Sequence, residues 1–208
     1  MTYFPDRVHD TGGAYATRYF ELLADAYKTV DAGAVTAAGQ LLVDGAKAGR
    51  TIFSCGNGGS AAISNHLVCD CLKGVRSNTS LRPKVHSLSA TVELVTAIVN
   101  DIGVEQMFSF QLESLASSGD VLVAISSSGA SPNIISALKT AREMGMKTIA
   151  MTGFSGGAAS ELADVSLYVK AENYGIVEDT HQSLMHILAQ YMRQSNMDQP
   201  ELLGSLKF

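Results

Sequence analysis

Short apolar runs alternate along the chain with longer segments in which apolar residues recur every three or four positions. The short runs predict five β-strands, over residues 51–55, 84–89, 120–126, 147–153 and 165–170. The longer segments predict two helices within about 14–48, followed by helices over about 60–72, 91–101, 104–116, 131–145, 156–163 and 176–197.

The order of these elements predicts the fold class. Strands that are separated by helices need crossover connections, so the sheet should be parallel and covered by helices on both faces. We therefore predict one α/β domain over residues 1–208, with a helical N-terminal extension over about 14–48. No internal repeat, low-complexity tract or linker divides the sequence. The tail, about 198–208, is expected to be loosely ordered.

Composition and charge narrow the class of protein. Hydrophobic residues make up 46% of the chain, charged residues make up 17%, and the mean hydropathy is +0.13, which is too apolar for a disordered chain. No stretch reaches the roughly 18 unbroken apolar residues of a membrane span. A net charge of −5 without a lysine or arginine run argues against a nucleic-acid surface. We expect neither a membrane nor a nucleic acid as partner.

The first residues and the cysteines indicate the compartment. The start, MTYFPDRVHDTGG, has no basic segment followed by an apolar block, so we expect no secretory signal. Cys55, Cys69 and Cys71 are odd in number and lie in core-like segments, and a metal site made of cysteines alone would need more ligands. These observations predict reduced thiols in a cytoplasmic protein.

Two loops follow predicted strands at the edge where parallel sheets bind ligands. The first, GNGGS, spans 56–60, and the second, SSSGASPN, spans 126–133. Neither loop has the G-x-G-x-x-G pattern that binds dinucleotides, and neither has the Gly-Lys-Ser/Thr of a Walker loop. Neither nucleotide motif is present, so the side chains of each loop have to indicate what the loop binds.

The second loop carries four hydroxyl groups at the start of a predicted helix, on Ser126, Ser127, Ser128 and Ser131. Hydroxyl donors and the positive end of a helix dipole suit a phosphate dianion. A single serine at such a place usually caps the helix. Four serines within six residues, facing a glycine-rich loop, favour an anion site instead.

Three stretches of the chain resemble the sugar isomerase (SIS) domain family. They are CGNGGSA with its trailing NH, AISSSGASPNIISALKTAREMGMKTIAMTG, and EDTHQSLMHIL. The serine loop is typical of all SIS domains. The GNGGS loop with a trailing histidine, and the last helix with a late histidine, are similar to the phosphoheptose isomerase branch. The resemblance covers roughly residues 14–195.

This resemblance implies both a fold and an activity. The fold is a three-layer αβα sandwich around a five-stranded parallel sheet, assembled as a homotetramer with active sites between subunits. The activity is an aldose–ketose isomerisation that converts sedoheptulose 7-phosphate to D-glycero-D-manno-heptose 7-phosphate through an enediol.

The resemblance also implies roles for individual residues. The positions that match phosphate contacts are Ser60, Ser126, Ser128 and Ser131, with Ser127 beside them. Those that match contacts to sugar hydroxyls are Asn57, Asn100 and Asp101. The positions that hold a zinc ion in several members are His66, Asp70, Glu178 and His186. Acid–base roles fall on Asp70 and His186.

The sequence departs from the family pattern near the implied metal site. The family has glutamate where Asp70 stands and glutamine where Glu178 stands, and Gly175 replaces a common acidic residue. Asp70 is one methylene shorter, which removes about 1.5 Å of reach. Glu178 adds a negative charge that would tighten metal binding or alter substrate choice. These departures concern the identity of the sugar phosphate more than the isomerase class.

The spacing of the same residues supports this constellation independently. His66 and Asp70 are four positions apart and share one helix face. Glu178, Gln182 and His186 form a stripe at four-residue spacing on the last predicted helix. Two imidazoles and two carboxylates from two helices suit tetrahedral zinc. A histidine on a helix is more often a packed or surface residue, and that interpretation stays open for His66.

Three alternative functions compete with this assignment. Some SIS tetramers resemble these enzymes but are adaptors that bind a replication initiator protein; those relatives lack the acid and the late histidine that are present here as Asp70 and His186. A regulator that senses sugar phosphates usually carries a DNA-binding module, for which 208 residues leave no room. An isomerase of another sugar phosphate is the third alternative.

Overall fold

The computed structural model describes residues 3–206 and shows an alternation of helices and strands. Within this range the α-helices and β-strands are α1 (Gly12–Lys28), α2 (Ala32–Lys47), β1 (Thr51–Gly56), α3 (Gly59–Cys69), β2 (Lys84–Ser87), α4 (Val92–Asp101), α5 (Ser109–Leu115), β3 (Val121–Ser126), α6 (Pro132–Glu143), β4 (Lys147–Thr152), α7 (Gly157–Leu162), β5 (Val165–Tyr168) and α8 (Tyr174–Gln194).

The five strands form one parallel sheet in the order β2-β1-β3-β4-β5. The chain runs outward from β1 to β2 and then returns to the other side of β1, so the strand order reverses between β1 and β3. Ligands bind at such a reversal in open α/β sheets, outside the carboxyl ends of the strands. The predicted α/β class and parallel sheet are confirmed.

Helices cover both faces of the sheet and bury two hydrophobic cores. Alternate residues of a strand point to opposite faces: Val121, Val123 and Ile125 join the core under α1, α2, α3 and α8, whereas Leu122 and Ala124 join the core under α5, α6 and α7. The predicted three-layer αβα sandwich is therefore confirmed.

Side-chain caps fix the starts of the helices around this sheet. Thr11, Asp31 and Asn173 each accept a hydrogen bond from a backbone N–H in the first turn of α1, α2 and α8, at 3.1, 2.7 and 3.1 Å. Pro132 occupies the first position of α6, where a missing N–H costs nothing. The starts of α1 and α8 lie two residues before the predicted ones.

Two predicted helices differ from the observed ones. The helix predicted over 60–72 ends as an α-helix at Cys69 and continues as a π-helical turn, Asp70–Val75. The helix predicted over 104–116 divides into a 3₁₀ turn, Val104–Gln106, and α5, which meet at the fully buried Phe108. Apolar spacing does not distinguish a continuous helix from two short turns that bury the same residues.

The start of the tail contacts the rest of the chain. Asp198 accepts hydrogen bonds from the backbone and the hydroxyl of Ser80, at 3.1 and 2.8 Å, and Pro200–Leu202 forms a 3₁₀ turn. Residues 207 and 208 of the predicted tail lie outside the described residues. In the part of the chain that the structure describes, no helix combines the length and the apolar character that a membrane crossing requires.

Candidate active site

The two loops singled out in the sequence lie side by side at the carboxyl ends of β1 and β3. Gly56, the last residue of β1, pairs with Ile125 near the end of β3. Between the loops lies a pocket of about 120 Å³, lined by Asn57, Ser60, Ile125, Ser126, Ser127, Ser128, Ser131, Tyr174 and Glu178. The structure thus brings together all of the residues that the family resemblance assigned to the phosphate.

Hydrogen bonds among the described residues use only part of the bonding capacity of the serine-loop hydroxyl groups. Ser131 stands at the N-cap of α6 but makes no capping hydrogen bond, and its Oγ lies 3.4 Å from Ser126 Oγ. The Oγ of Ser127 is buried and has no hydrogen-bond partner among residues 3–206. A buried hydroxyl without a partner is costly, so an incoming acceptor would be bound favourably here.

Gly129 gives this loop its shape. Its φ is +62°, and a Cβ at this position would collide with the backbone carbonyl of Gly156. The backbone N–H of Gly129 donates to Ser126 Oγ at 3.2 Å, and that of Ala130 donates to Ser128 Oγ at 3.3 Å. The glycine therefore lets the serines turn inward while the loop packs on the β4–α7 connection.

Asn57 is held in place by a residue that the sequence did not single out. The amide groups of Asn57 and Asn133 exchange two hydrogen bonds, at 3.0 and 2.9 Å, and Asn133 is buried in the first turn of α6. This pair ties the GNGGS loop to the serine loop. The only sequence signal for Asn133 was its place directly after the Ser-Pro start of the helix.

Glu178 faces the phosphate pocket from the first part of α8. Its carboxylate packs against Gly59, where a Cβ would collide with it. Partial burial, and then the neighbouring carboxylate of Asp179, raises the pKa of Glu178.

A second group of polar side chains lies where α3 meets α8. The Oδ2 atom of Asp70 lies 2.7 Å from His186 Nδ1, and its Oδ1 atom lies 3.3 Å from His66 Nε2. The amide nitrogen of Gln182 lies 3.1 Å from His66 Nδ1 and 2.9 Å from His186 Nε2. The two imidazole rings meet edge to face, with centroids 4.9 Å apart.

Both helices that carry this group are anchored. The hydroxyl of Ser64 on α3 contacts those of Ser54 on β1 and Ser87 on β2, at 2.9 and 2.8 Å. On α8, Asp179 accepts a hydrogen bond from the Tyr19 hydroxyl of α1 at 2.7 Å. Side chains on such supported helices are held in place better than side chains on loops.

Comparison with known proteins agrees with this geometry. The family model of the SIS domain matches residues 14–153. The chain belongs to the SIS domain family. Within it, the chain is 36% identical over 176 residues to a phosphoheptose isomerase of Akkermansia muciniphila, covering 83% of this chain and 92% of that one. It is 40% identical over 185 residues to a phosphoheptose isomerase of Nitratidesulfovibrio vulgaris, covering 88% and 84%.

Solved structures of phosphoheptose isomerases share the fold of this SIS domain. The structure from Francisella tularensis has a TM-score of 0.81 at 30% identity, covering 88% of this chain and 99% of that chain. The structure from Neisseria gonorrhoeae has a TM-score of 0.78 at 31% identity, covering 86% and 95%. The SIS chain therefore belongs with the phosphoheptose isomerases, as its motifs predicted.

The SIS domain brings together three of the four predicted metal ligands. Ligand atoms of His66, Asp70 and His186 lie within 4.8 Å of one another. Zinc takes nitrogen and oxygen ligands at about 2.0–2.2 Å, so two imidazoles and a carboxylate this close fit such an ion. Glu178 is outside this group, because its carboxylate lies against Gly59 in the phosphate pocket. Ligation of a metal by Glu178 stays a prediction.

Two predicted sugar contacts lie away from the pocket of their own chain. Asn100 and Asp101 end α4, where both are exposed, and the Asn100 amide donates to the Asp101 carboxylate at 2.6 Å. Neither residue is among those that line the pocket. Their contact with the sugar stays a prediction, because within one chain they do not line the pocket.

His181, a third histidine of α8, lies inside the core of the SIS domain. The residue is fully buried, and both ring nitrogens lack a hydrogen bond of standard geometry within residues 3–206. Burial lowers the pKa of His181 to about 4, although the nearby backbone of Thr152 acts in the opposite direction. The ring is therefore neutral at physiological pH and takes no part in the Asp70–His186 group.

Proposed function

We propose that this SIS domain protein is an isomerase that converts sedoheptulose 7-phosphate to D-glycero-D-manno-heptose 7-phosphate. The observation that carries this proposal is the placement of two unlike sites along one helix. Glu178, near the start of α8, lines the serine pocket, and His186, two turns later, pairs with Asp70. The relatives named phosphoheptose isomerase support the same substrate.

The spacing of the two sites supports a long sugar phosphate. Eight residues of helix separate Glu178 from His186, which corresponds to roughly 12 Å. In a heptulose 7-phosphate the reacting C1 and C2 lie at the opposite end from the phosphate, roughly 10 Å away in an extended chain of C–C bonds of about 1.5 Å. A pentulose or hexulose phosphate is shorter and would reach the Asp70–His186 pair less well.

The serine pocket would hold the phosphate. Its hydroxyls, from Ser60, Ser126, Ser127, Ser128 and Ser131, can donate to phosphate oxygens, and the N-terminus of α6 adds a positive potential. Asn57 would donate to a sugar hydroxyl from the opposite wall. Binding at this end fixes the sugar so that its carbonyl end reaches the junction of α3 and α8.

Asp70 and His186 would carry the proton transfers. Isomerisation through an enediol removes a proton from C1 of the ketose, returns one to C2, and moves another between the two oxygens. Two groups that give and accept protons near neutral pH meet this requirement. The 2.7 Å contact between Asp70 and His186 supports the assignment, since the pair can pass a proton between its members.

A zinc ion fits the same junction. His66 and His186 would be its nitrogen ligands, next to Asp70. When bound, the ion would supply positive charge that stabilises negative charge developing on the sugar. The alternative of a non-catalytic adaptor is weakened by the presence and pairing of Asp70 and His186, the two groups that the adaptor relatives lack.

The active form would be a homotetramer with sites between subunits, in the cytoplasm. Helix α4 exposes Val92, Leu94 and Val99 and packs mainly on the 3₁₀ turn that follows it, so a partner can cover it. A neighbouring α4 would also bring Asn100 and Asp101 to the sugar. Most apolar residues of α8, by contrast, are covered by the chain itself: Leu184, Met185 and Leu188 are buried in its own core.

A panel of substrates tests the proposal. The purified protein, with and without added zinc, is incubated with ketose phosphates of five, six and seven carbons that carry phosphate on the last carbon, and aldose formation is followed by NMR. We expect kcat/KM to be highest for the seven-carbon substrate. A preference for five carbons would overturn the substrate assignment, and no turnover of any of them would favour the adaptor.

A further inference from the structure

One aromatic side chain lies at the opening of the serine pocket. Tyr174, the first residue of α8, is among the residues that line the pocket, and it is also 62% exposed. A side chain that lines a pocket and also faces solvent lies at its rim. Tyr174 is therefore placed to contact a ligand inside the pocket and to shield that ligand from water.

The ring of Tyr174 packs against the ring of Phe154. The two ring centroids are 4.8 Å apart and the ring planes are inclined by 56°, within the range of separations that aromatic pairs prefer. Phe154 is partly buried in the connection between β4 and α7. This connection thus holds the ring of Tyr174 from one side.

The backbone of Phe154 adopts a conformation that bulky residues rarely take. Its φ is +49°, in the left-handed region. Two hydrogen bonds maintain it: the N–H of Phe154 donates to the Ala171 carbonyl at 2.9 Å, and the Phe154 carbonyl accepts from the Tyr168 hydroxyl at 2.6 Å. Residues in such conformations cluster at functional sites. Here the conformation belongs to the residue whose ring supports Tyr174.

The connection that carries Phe154 also supports the serine loop. The backbone N–H of Gly153 donates to the Ser127 carbonyl at 2.9 Å, and Gly129 packs on the same connection. Tyr174 and the serine hydroxyls are thus held by one segment of the chain. Their positions relative to one another are therefore fixed by that segment.

The hydrogen-bonding groups of the pocket make the Tyr174 hydroxyl useful. The described residues that line the pocket include no lysine or arginine, so neutral groups supply the donors for a phosphate. Within residues 3–206 the Tyr174 hydroxyl makes no hydrogen bond. A phenol hydroxyl can donate, and a hydrogen bond to an ionised acceptor is about twice as strong as one between neutral groups. Exclusion of water by the ring strengthens the hydrogen bonds inside.

We propose that Tyr174 binds the phosphate of the substrate and closes the serine pocket, and that Phe154 is a positioning residue that holds Tyr174 there. The Tyr174 hydroxyl donates to a phosphate oxygen, and its ring shields the serine hydroxyls from solvent. This inference rests on the proposed function in taking the serine pocket as the phosphate site. Because the phosphate does not react, Tyr174 binds the ground state and the transition state equally and acts on KM rather than on kcat.

Kinetics and phosphate binding of matched variants test the inference. KM and kcat are measured with sedoheptulose 7-phosphate, and the dissociation constant of inorganic phosphate is measured by phosphorus NMR titration. Tyr174→Phe keeps the ring and loses the hydroxyl, so it should raise KM and this dissociation constant at least about tenfold. Tyr174→Ala should raise both further. In each variant kcat should stay within about threefold of the unmodified value.

A double-mutant cycle tests the role of Phe154. Glycine adopts a φ of +49° readily, so Phe154→Gly removes the ring without straining the backbone, and thermal unfolding checks its fold. Phe154→Gly should raise KM at least about threefold when Tyr174 is present, and should add little to Tyr174→Ala. Tyr3→Ala is the matched control, because Tyr3 is 61% exposed but does not line the serine pocket. Its KM should be unchanged.

The inference is overturned if Tyr174→Phe binds inorganic phosphate as tightly as the unmodified protein, if the Tyr174 variants lower kcat without changing KM, or if the unmodified protein binds no phosphate. An equal effect of Phe154→Gly with and without Tyr174 would overturn the positioning role. Turnover of sedoheptulose 7-phosphate with unchanged Tyr174 variants would overturn the inference alone. The predicted loss of phosphate affinity in Tyr174→Phe, without any turnover by the unmodified protein, would overturn the proposed function alone.

Discussion

His186 Nδ1 lies 2.7 Å from Asp70 Oδ2, although 116 positions separate the two residues in the chain. Asp70 begins the π-helical turn that follows α3, and such widened turns are frequent at functional sites. His186 lies on α8, which packs against α1, α2 and α3. The pair therefore depends on the packing of the whole helical layer on one face of the sheet.

The serine loop gives the first prediction. Replacing Ser128 and Ser131 together by alanine should raise KM for the sugar phosphate at least about 100-fold, because each hydrogen bond to a charged phosphate contributes about 1.5–3 kcal/mol. Steady-state kinetics on the double variant measures this. The hydroxyl of Ser131 makes no capping bond, so thermal stability should change little.

Ser114→Ala is the matched control for that variant. This serine is exposed on α5, where its hydroxyl makes only a long contact of 3.4 Å with the Phe110 carbonyl. Its loss should leave KM unchanged. An unchanged KM in the Ser128/Ser131 double variant would rule out the loop as the phosphate site.

Much of this structure followed from the sequence, because the signals involved were local. Apolar strands of the kind found at 121–126 must be covered on both faces, and crossover connections then make the sheet parallel. The serines and glycines of the two loops also predicted the pocket between β1 and β3. Each loop follows a strand, and the carboxyl ends of parallel strands meet at one edge of the sheet.

The sequence did not show which side chains of α8 contact the imidazole group, because that depends on side-chain direction where α3 and α8 pack together. Glu178, Gln182 and His186 share one helix face, so periodicity gives each of them a place near His66. Only packing shows that Glu178 turns to Gly59 while Gln182 enters the imidazole group. The position of Asn100 and Asp101 depends on contacts between chains, which no local pattern encodes.

The exposed apolar face of α4 predicts assembly. Light scattering at micromolar concentration should give about 88 kDa, four times the chain mass of 21.9 kDa. The double substitution of Val92 and Val99 by glutamate should lower that mass, because four or more charges would be buried at the contacts. A monomer of about 22 kDa for the unmodified protein would contradict the assembly.

Val8→Glu controls for the added charge. Val8 precedes α1 and is 93% exposed, so a glutamate there should not change the mass. A similar drop in mass for this variant would show that the effect of the α4 substitutions is not specific to that face.

The buried His181 predicts a loss of stability in acid. Its pKa is lowered to about 4 in the folded protein, whereas the unfolded chain binds a proton near the ordinary value of 6.5. Between these values the unfolded state binds more protons, so stability falls as the pH falls from about 6.5 towards 4, by up to about 3 kcal/mol. His181→Leu should remove this part of the pH dependence.

Urea unfolding at pH 7 and pH 5 measures that effect. The difference in unfolding free energy between His181→Leu and the unmodified protein should shift in favour of the variant at pH 5. Val177→Ala, which opens a small cavity at a fully buried position of the same helix, should change stability equally at both pH values. Equal differences for His181→Leu at both pH values would contradict the buried neutral ring.

The central claim is that Asp70 and His186 perform the proton transfers of a sugar-phosphate isomerase. Its most direct test is the turnover of sedoheptulose 7-phosphate by the unmodified protein, Asp70→Asn and His186→Gln, each checked for the same oligomeric state. We expect the unmodified protein to form the aldose and each variant to lower kcat by about 10²–10⁴ with phosphate affinity retained. Near-unmodified turnover in either variant would contradict the assignment of that residue, and no turnover by the unmodified protein, with or without zinc, would contradict the enzyme itself.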